Sequence, residues 1–385
     1  MKSREWRVES THSSPLTRTG DNMTRKKKVV VAMSGGVDSS LTAALLRDEG
    51  YEVIGVTMQI WPSDDPAKEN DQGGCCSLSA VDDARRVADT LEIPFYVMNF
   101  RELFEQKVID LFVNEYLAGR TPNPCIACNR FIKFDAFLTK ALALGAEYIA
   151  TGHYARISFD SDRGRYVMRR AEDYRKDQTY VLYNMTQEQL KRTLMPLGEY
   201  TKDEVRRRAA SYNLKVANKP ESQEICFVTD NDYHRFLREK VGPEITPGPF
   251  VDTGGNILGR HQGMAYYTVG QRKGLGITFG EPMYVVGLDP TQNAVILGKN
   301  EAVFGRELVA TDNNYILDES LTGPLKVEAK IRYSAKPAEA VITPGEDGRV
   351  MVRFSEPQRA VTPGQAVVYY LNEYVLGGGT IEPGR

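Results

Sequence analysis

Two sets of residues in this sequence carry chemistry: the hexapeptide Ser34-Gly35-Gly36-Val37-Asp38-Ser39, and the cysteines Cys125, Cys128 and Cys226. The hexapeptide follows the apolar run Val29 to Met33 and opens a helical pattern from Asp38 to Asp48, with Leu41, Ala44 and Leu45 on one face. Glycines let main-chain N–H groups approach a phosphate closely, and a helix N-terminus adds a dipole that favours negative charge. The hydroxyls of Ser34 and Ser39 can donate to phosphate oxygens, and Asp38 can hold magnesium. No Gly-Lys-Ser/Thr follows and no G-x-G-x-x-G is present, so this is neither a Walker loop nor a dinucleotide fingerprint. A plain, well-capped strand-to-helix turn would use the same residues, and the hexapeptide alone leaves both readings open.

Cys125 and Cys128 form a Cys-x-x-Cys within TPNPCIACNRFIKF, and Cys226 sits far downstream in ESQEICFV. One such pair with no second pair, and no histidine at a completing spacing, is too little for a structural zinc site. Arg130 and Lys133 follow Cys128, and cations favour a thiolate. Cys226 instead follows Glu221 and Glu224, which do not. Cys75 and Cys76, taken singly, read as small buried hydrophobes. Five cysteines in 385 residues are too few for a disulfide framework, and the odd count leaves one over.

The elements that must position these residues alternate. After Val29 to Met33 come a strand at Glu52 to Val56, a helix at Ala80 to Leu91, a strand at Phe95 to Asn99 and a helix at Leu103 to Leu117. A Pro-rich turn, a helix to Leu144 and a strand at Glu147 to Ala150 follow. That order predicts an α/β fold, a doubly wound parallel sheet whose ligand lies beyond the carboxyl ends of its strands. Past Ala210 Gly-Pro punctuation rises, and from Met283 short β-rich runs (MYVVGL, AVILG, KVEAKIRY, RVMVRF, QAVVYY) predict a C-terminal all-β barrel. The expected domains are a tail over 1–27, a nucleotide-binding catalytic domain over 28–215, a small central domain over 216–282 and the barrel over 283–385.

Length and a 26% charged, 41% hydrophobic composition exclude wholesale disorder, and no apolar run approaches the ~20 residues needed to cross a bilayer. A net charge of −2 excludes a globally basic protein but not local basic faces. Three stand out: Arg163, Arg165, Arg169, Arg170, Arg175 and Lys176; then Arg206 to Arg208; then Lys326, Lys330, Arg332 and Lys336. Solvated surface is the ordinary fate of any one cluster, whereas three across separate domains suit a long RNA. The tail reads as unstructured; Glu5, Glu9 and Asp21 argue against an organellar signal without excluding one, and Met23 is an alternative start.

SGGVDS after a buried strand resembles the PP-loop (adenine nucleotide alpha hydrolase-like) of the ATP pyrophosphatase superfamily, whose members cleave ATP to adenylate a substrate. AMSGGVDSS, GVTMQIW, TPNPCIACNRFIKF, ATGHYAR, KDQTYVLY, ESQEICFV, IRY and PGQAVVYY, in that order from Ala32 to Tyr370, resemble the tRNA-specific 2-thiouridylase family. The resemblance implies ATP with Mg2+ at Ala32, Met33, Ser34, Gly35, Gly36, Val37, Asp38, Ser39, Met58 and Gly152. It implies the tRNA anticodon stem-loop at Asn123, Pro124, Cys125, His153, Lys176, Asp177, Gln178, Arg332, Tyr333 and Gln365. Cys128 would be the nucleophile and Cys226 the persulfide carrier, loaded by a cysteine desulfurase or a sulfur-carrier protein, in a cytoplasmic enzyme with no membrane partner.

Many members carry Asp where this chain has Cys125, so that residue's role does not transfer. Cys125, Cys128 and Cys226 also suffice to hold an iron–sulfur cluster with one iron open to sulfide, a second route for sulfur. Two rival functions are a PP-loop ligase that amidates a small molecule, which would need neither Cys226 nor basic clusters, and a non-enzymatic RNA-binding or redox protein, against which the intact SGGVDS argues.

Overall fold

The computed structural model describes residues 26–60, 78–219, 225–228, 230, 232–277 and 280–384. Cys75, Cys76, Glu221, Glu224 and the expected tail up to residue 25 lie outside the described residues.

Five parallel strands form the first sheet, in the order β3-β2-β1-β4-β7. They are β1 (Lys28–Ala32), β2 (Glu52–Gln59), β3 (Phe95–Asn99), β4 (Tyr148–Ala150) and β7 (Thr193–Leu194), with the hairpin β5 (Arg156–Asp160) and β6 (Arg165–Arg169) between the last two. Val29, Val30 and Val31 are each fully buried, because alternate side chains of a central strand enter opposite layers. Val30 packs with Val56, Phe104 and Phe112 on one face, and Val31 with Leu41, Ala84 and Val205 on the other. Full burial stabilises each valine by about 1.5–3 kcal/mol over exposure, which fixes β1 at the centre.

Helix α1 (Val37–Asp48) leaves the end of β1. A continuous helix over 124–143 carries Cys125 and Cys128, and from Cys128 to Ala136 it widens to π-helical winding. That widening is absent from the expected plain helix, and such insertions gather at functional sites.

The middle sheet is β10-β11-β8-β9, built from β8 (Gly248–Asp252), β9 (Ile257–His261), β10 (Tyr284–Asp289) and β11 (Ala294–Gly298). Tyr284–Asp289 and Ala294–Gly298, expected in the C-terminal barrel, therefore belong here: β11 pairs with β8 at Val295 and Phe250. The expected boundary at 283 falls inside this sheet's sequence because two neighbouring hairpins look alike until their pairing is known. The last sheet closes six antiparallel strands, β12 (Phe304–Tyr315), β13 (Leu325–Lys330), β14 (Ala338–Pro344), β15 (Val350–Arg359), β16 (Ala366–Leu371) and β17 (Tyr374–Ile381), through a β12–β17 pairing. The β5–β6 hairpin attaches to its outside, where Arg169 pairs with Tyr374.

Candidate active site

The SGGVDS loop lies at the carboxyl edge of the parallel sheet, between β1 and α1. Met33 is tied into the sheet: its N–H donates to Val56 O at 2.8 Å, and its carbonyl accepts from the buried Thr57 hydroxyl at 2.7 Å. Gly35 turns the chain with φ +68°, and a Cβ there would stand 2.3 Å from Ala80 O. Ser34 N–H donates to Ser39 Oγ at 3.1 Å, folding the loop over the start of α1. Gly152 closes the loop from β4's side, since a Cβ on it would lie 2.8 Å from both Asp38 C and Ser39 N. Ala32 to Ser39 and Gly152 are thus brought together, and half-buried Met58 lies near the same edge of β2.

Asp38 departs from expectation. Its carboxylate receives Lys202 Nζ at 2.8 Å on each oxygen and the Tyr154 hydroxyl at 2.6 Å on Oδ1. With those donors in place the carboxylate is held in an internal ion pair, a partner the sequence reading did not anticipate for Asp38. Neither Lys202 nor Tyr154 stood out in the sequence. A signal existed: Lys202 is the first residue of the helix Lys202–Ser211, where the dipole disfavours a cation unless a carboxylate waits for it.

The cysteine helix starts on a strong cap. Asn123 accepts from the N–H of Cys125 at 3.1 Å and of Ile126 at 3.4 Å, and Pro124 occupies the first helical position. Cys125 is exposed and Cys128 half-buried. Buried Ala127 and Asn129 flank Cys128, and Asn129 Nδ2 donates to Val181 O at 2.9 Å. Half-buried Cys226 is anchored through Phe227, which meets Phe112 edge-on at 5.2 Å, so both cysteines border one apolar cluster. Among the described residues no three His, Cys, Asp or Glu side chains converge as metal ligands. The arrangement of the described residues thus lends no support to an iron–sulfur cluster on Cys125, Cys128 and Cys226.

The same helix reaches the nucleotide loop. Lys133 Nζ lies 3.5 Å from His153 Nε2, and His153 Nδ1 lies 2.8 Å from the Thr151 hydroxyl. Burial, reinforced by Lys133, holds the His153 ring well below the usual histidine range and therefore neutral. Arg130 crosses to the barrel and pairs with Asp312, a link the sequence did not announce.

The residues expected to meet RNA divide. Asp177 accepts from Thr179 Oγ1 at 2.7 Å and Ala171 N–H at 3.0 Å, and burial raises its carboxyl. Gln178 Oε1 accepts Tyr154 N–H at 3.0 Å. Gln365 Nε2 donates to Thr121 O at 2.8 Å and Pro122 O at 3.3 Å, just ahead of Asn123. Arg332 donates to Arg359 O at 2.8 Å. These four are engaged inside the protein, whereas Tyr333 is 45% exposed with Lys330 5.4 Å from its ring centre, and Lys176 is half-buried.

The first basic cluster is largely neutralised. Arg163 pairs with Asp318, Arg165 with Glu319, Arg169 with Glu373, Arg170 with Glu328 and Arg175 with Asp173. Four of those carboxylates come from the barrel, beyond any local window. Arg206 donates to Ala217 O at 3.1 Å, and Arg208 lies 4.5 Å from the Tyr200 ring centre. Local charge therefore supports an RNA surface less than the sequence alone implied.

Residues 27–230 match the family described as the tRNA methyl transferase HUP domain, 234–299 the tRNA methyl transferase PRC-barrel domain, and 305–381 the aminomethyltransferase beta-barrel domain. The tRNA-specific 2-thiouridylase MnmA of Pelotomaculum thermopropionicum is 61% identical over 357 residues, 93% of this chain and 98% of that protein. Its namesake in Acetivibrio thermocellus is 60% identical over 357 residues, 93% and 99% of the two chains. That of Heliobacterium modesticaldum is 62% identical over 358 residues, 92% of each.

Proposed function

Since the chain belongs to the tRNA-specific 2-thiouridylase family, we propose that it converts a wobble uridine of tRNA to 2-thiouridine using ATP and a cysteine persulfide. The uridine 2-carbonyl is a poor electrophile because its oxygen leaves badly. Attack of that oxygen on the α-phosphorus of ATP expels pyrophosphate and converts it into the leaving group AMP. The loop from Ser34 to Ser39 and the amides opening α1 are the groups that would receive the phosphates.

Sulfur then arrives as the outer atom of a Cys226 persulfide, loaded by a cysteine desulfurase or a sulfur carrier. It forms the C2–S bond as AMP departs. Cys128 thiolate attacks the Cys226 sulfur, the S–S electron pair passes to the transferred sulfur, and a Cys128–Cys226 disulfide remains for a dithiol to reduce. A wobble base sits in a single-stranded loop and can be splayed into such a site without opening a duplex. Asn123, Pro124, Lys176 and Tyr333 are the side chains we assign to RNA. Cys125 receives no proton-transfer role, since a thiol differs from the usual Asp in pKa and geometry. The cytoplasmic location we propose rests on the family alone.

The observation that carries this reading is the continuity from Cys128, along its helix, through Lys133 and His153, to Gly152 against the nucleotide loop. Cys226→Ser tests it. The variant should form no 2-thiouridine by mass spectrometry of digested tRNA while still shifting tRNA on a native gel. Thiolation at the parent rate would sink the persulfide route.

A further inference from the structure

We propose that Lys202 is a positioning residue of the nucleotide loop: it holds and neutralises Asp38, so that the opening turn of α1 meets the phosphates of ATP without a competing carboxylate. The inference rests on the ATP reading above and adds a residue to it. Asp38 is the second residue of α1, after the cap Gly36, and so lies in the turn whose amides would receive the phosphates. A carboxylate there is attracted by the same N–H groups and helix dipole that a phosphate needs, and it repels the phosphate.

The structure turns that carboxylate aside. Lys202 Nζ bonds both oxygens at 2.8 Å, and the Tyr154 hydroxyl bonds Oδ1 at 2.6 Å. The Lys202 side chain is only 8% exposed, against 29% for Asp38, so the cation approaches from the protein side and leaves the loop's outer face open. Lys202 is itself placed by the helix it begins, whose Thr201 and Glu204 cap each other's N–H groups. Gly152 walls in Asp38 from the other side, because a Cβ there would lie 2.9 Å from Asp38 Cβ. Removing the lysine alone would leave a partly buried carboxylate unpaired beside the triphosphate; removing both charges would not.

The test uses the full chain, with ATP and adenosine binding measured by calorimetry for the parent, Lys202→Met, and Lys202→Met combined with Asp38→Asn. Lys202→Met should weaken ATP by at least about tenfold while adenosine, which has no phosphate, moves less than about threefold. The double variant should regain most of the lost ATP affinity, and since it leaves no buried lone charge it tests the idea even if Lys202→Met fails to fold. Equal losses for ATP and adenosine would reduce Lys202 to a structural part and overturn the proposal. A double variant as weak as Lys202→Met would do the same, because Lys202 or Asp38 would then touch phosphate or metal directly. If the parent binds adenosine but not ATP, the proposal and the ATP reading fail together; if the parent binds ATP and only the rescue fails, the ATP reading survives alone.

Discussion

Gln365 separates two accounts of how the C-terminal barrel serves the reaction. The family resemblance gives this residue to tRNA, yet both hydrogens of its Nε2 point inward, to Thr121 O at 2.8 Å and Pro122 O at 3.3 Å. An amide oxygen only accepts, and an RNA phosphate has nothing to donate to it. Gln365→Met keeps length and packing while deleting both donors. One bond of ordinary length contributes about 1 kcal/mol net and the longer one less, so the Thr121–Pro122 turn loses about 1–2 kcal/mol of restraint. If that restraint holds Asn123, Cys125 and Cys128 in register with the substrate, the rate falls about 5–30-fold. The assay is single-turnover thiolation of an anticodon stem-loop at saturating RNA, beside the dissociation constant of the same RNA. Positioning predicts the rate loss with affinity changed less than about twofold. A dissociation constant raised by that factor, at an unchanged saturating rate, would refute it and return Gln365 to the RNA surface.

Gly152→Ala should weaken ATP binding by at least about tenfold in equilibrium dialysis, because its methyl would lie 2.8 Å from main-chain atoms of Asp38 and Ser39, an overpacking of about 1–3 kcal/mol. Gly323→Ala, where a Cβ meets nothing within 4 Å, is the control, and equal effects in the two would discredit the close-approach argument. Acid should destabilise the protein through its histidines. His153 is lowered by burial and by Lys133, and His234 and His261 by burial, so the unfolded chain takes up protons first as pH falls below ~6.5. Stability is complete above that value and falls by at most about 1.4 kcal/mol per pH unit for each group until its folded pKa is reached. Urea midpoints at several pH values should give His153→Gln a shallower acid slope, and an unchanged slope would show that His153 titrates normally when folded.

Local patterns carried the parallel sheet and not the pairings between distant segments. The run Val29 to Val31 announced a strand buried on both faces, because such strands need no polar alternation, and the edge strand Phe95–Asn99 was bounded correctly by its β-rich composition. The SGGVDS loop was read as a nucleotide loop only through the family resemblance, since a plain capped turn uses the same residues; the close approaches at Gly35 and Gly152 give the physical reason for glycine at both positions. The hairpin Arg156 to Arg169 gave no sign that it would join a barrel strand more than two hundred residues later, since pairing partners leave no mark on either strand. The basic cluster misled for the same cause. A window around Arg163 to Lys176 counts two carboxylates, whereas Asp318, Glu319, Glu328 and Glu373 arrive from the barrel.

The turn over 119–122, just ahead of the cysteine helix, explains why three sheets are needed for one reaction. Gly119, at φ +71°, leaves room for a Cβ only 3.2 Å from Met264 and 3.3 Å from Leu288 of the middle domain. Arg120 spans Glu115 at 2.8 Å and Glu382, past the last barrel strand, at 3.1 Å. Thr121 N–H donates to Pro363 O at 2.8 Å. Each contact is worth about 1 kcal/mol or less, and together they exceed what a solvent-exposed proline turn could supply to hold a thiol in place. If Cys128 is the nucleophile we propose, its side chain has to be held from outside a helix that widens at that residue. The parallel sheet supplies the nucleotide loop, but the place of Cys128 relative to it is set by the two domains that follow it in the chain.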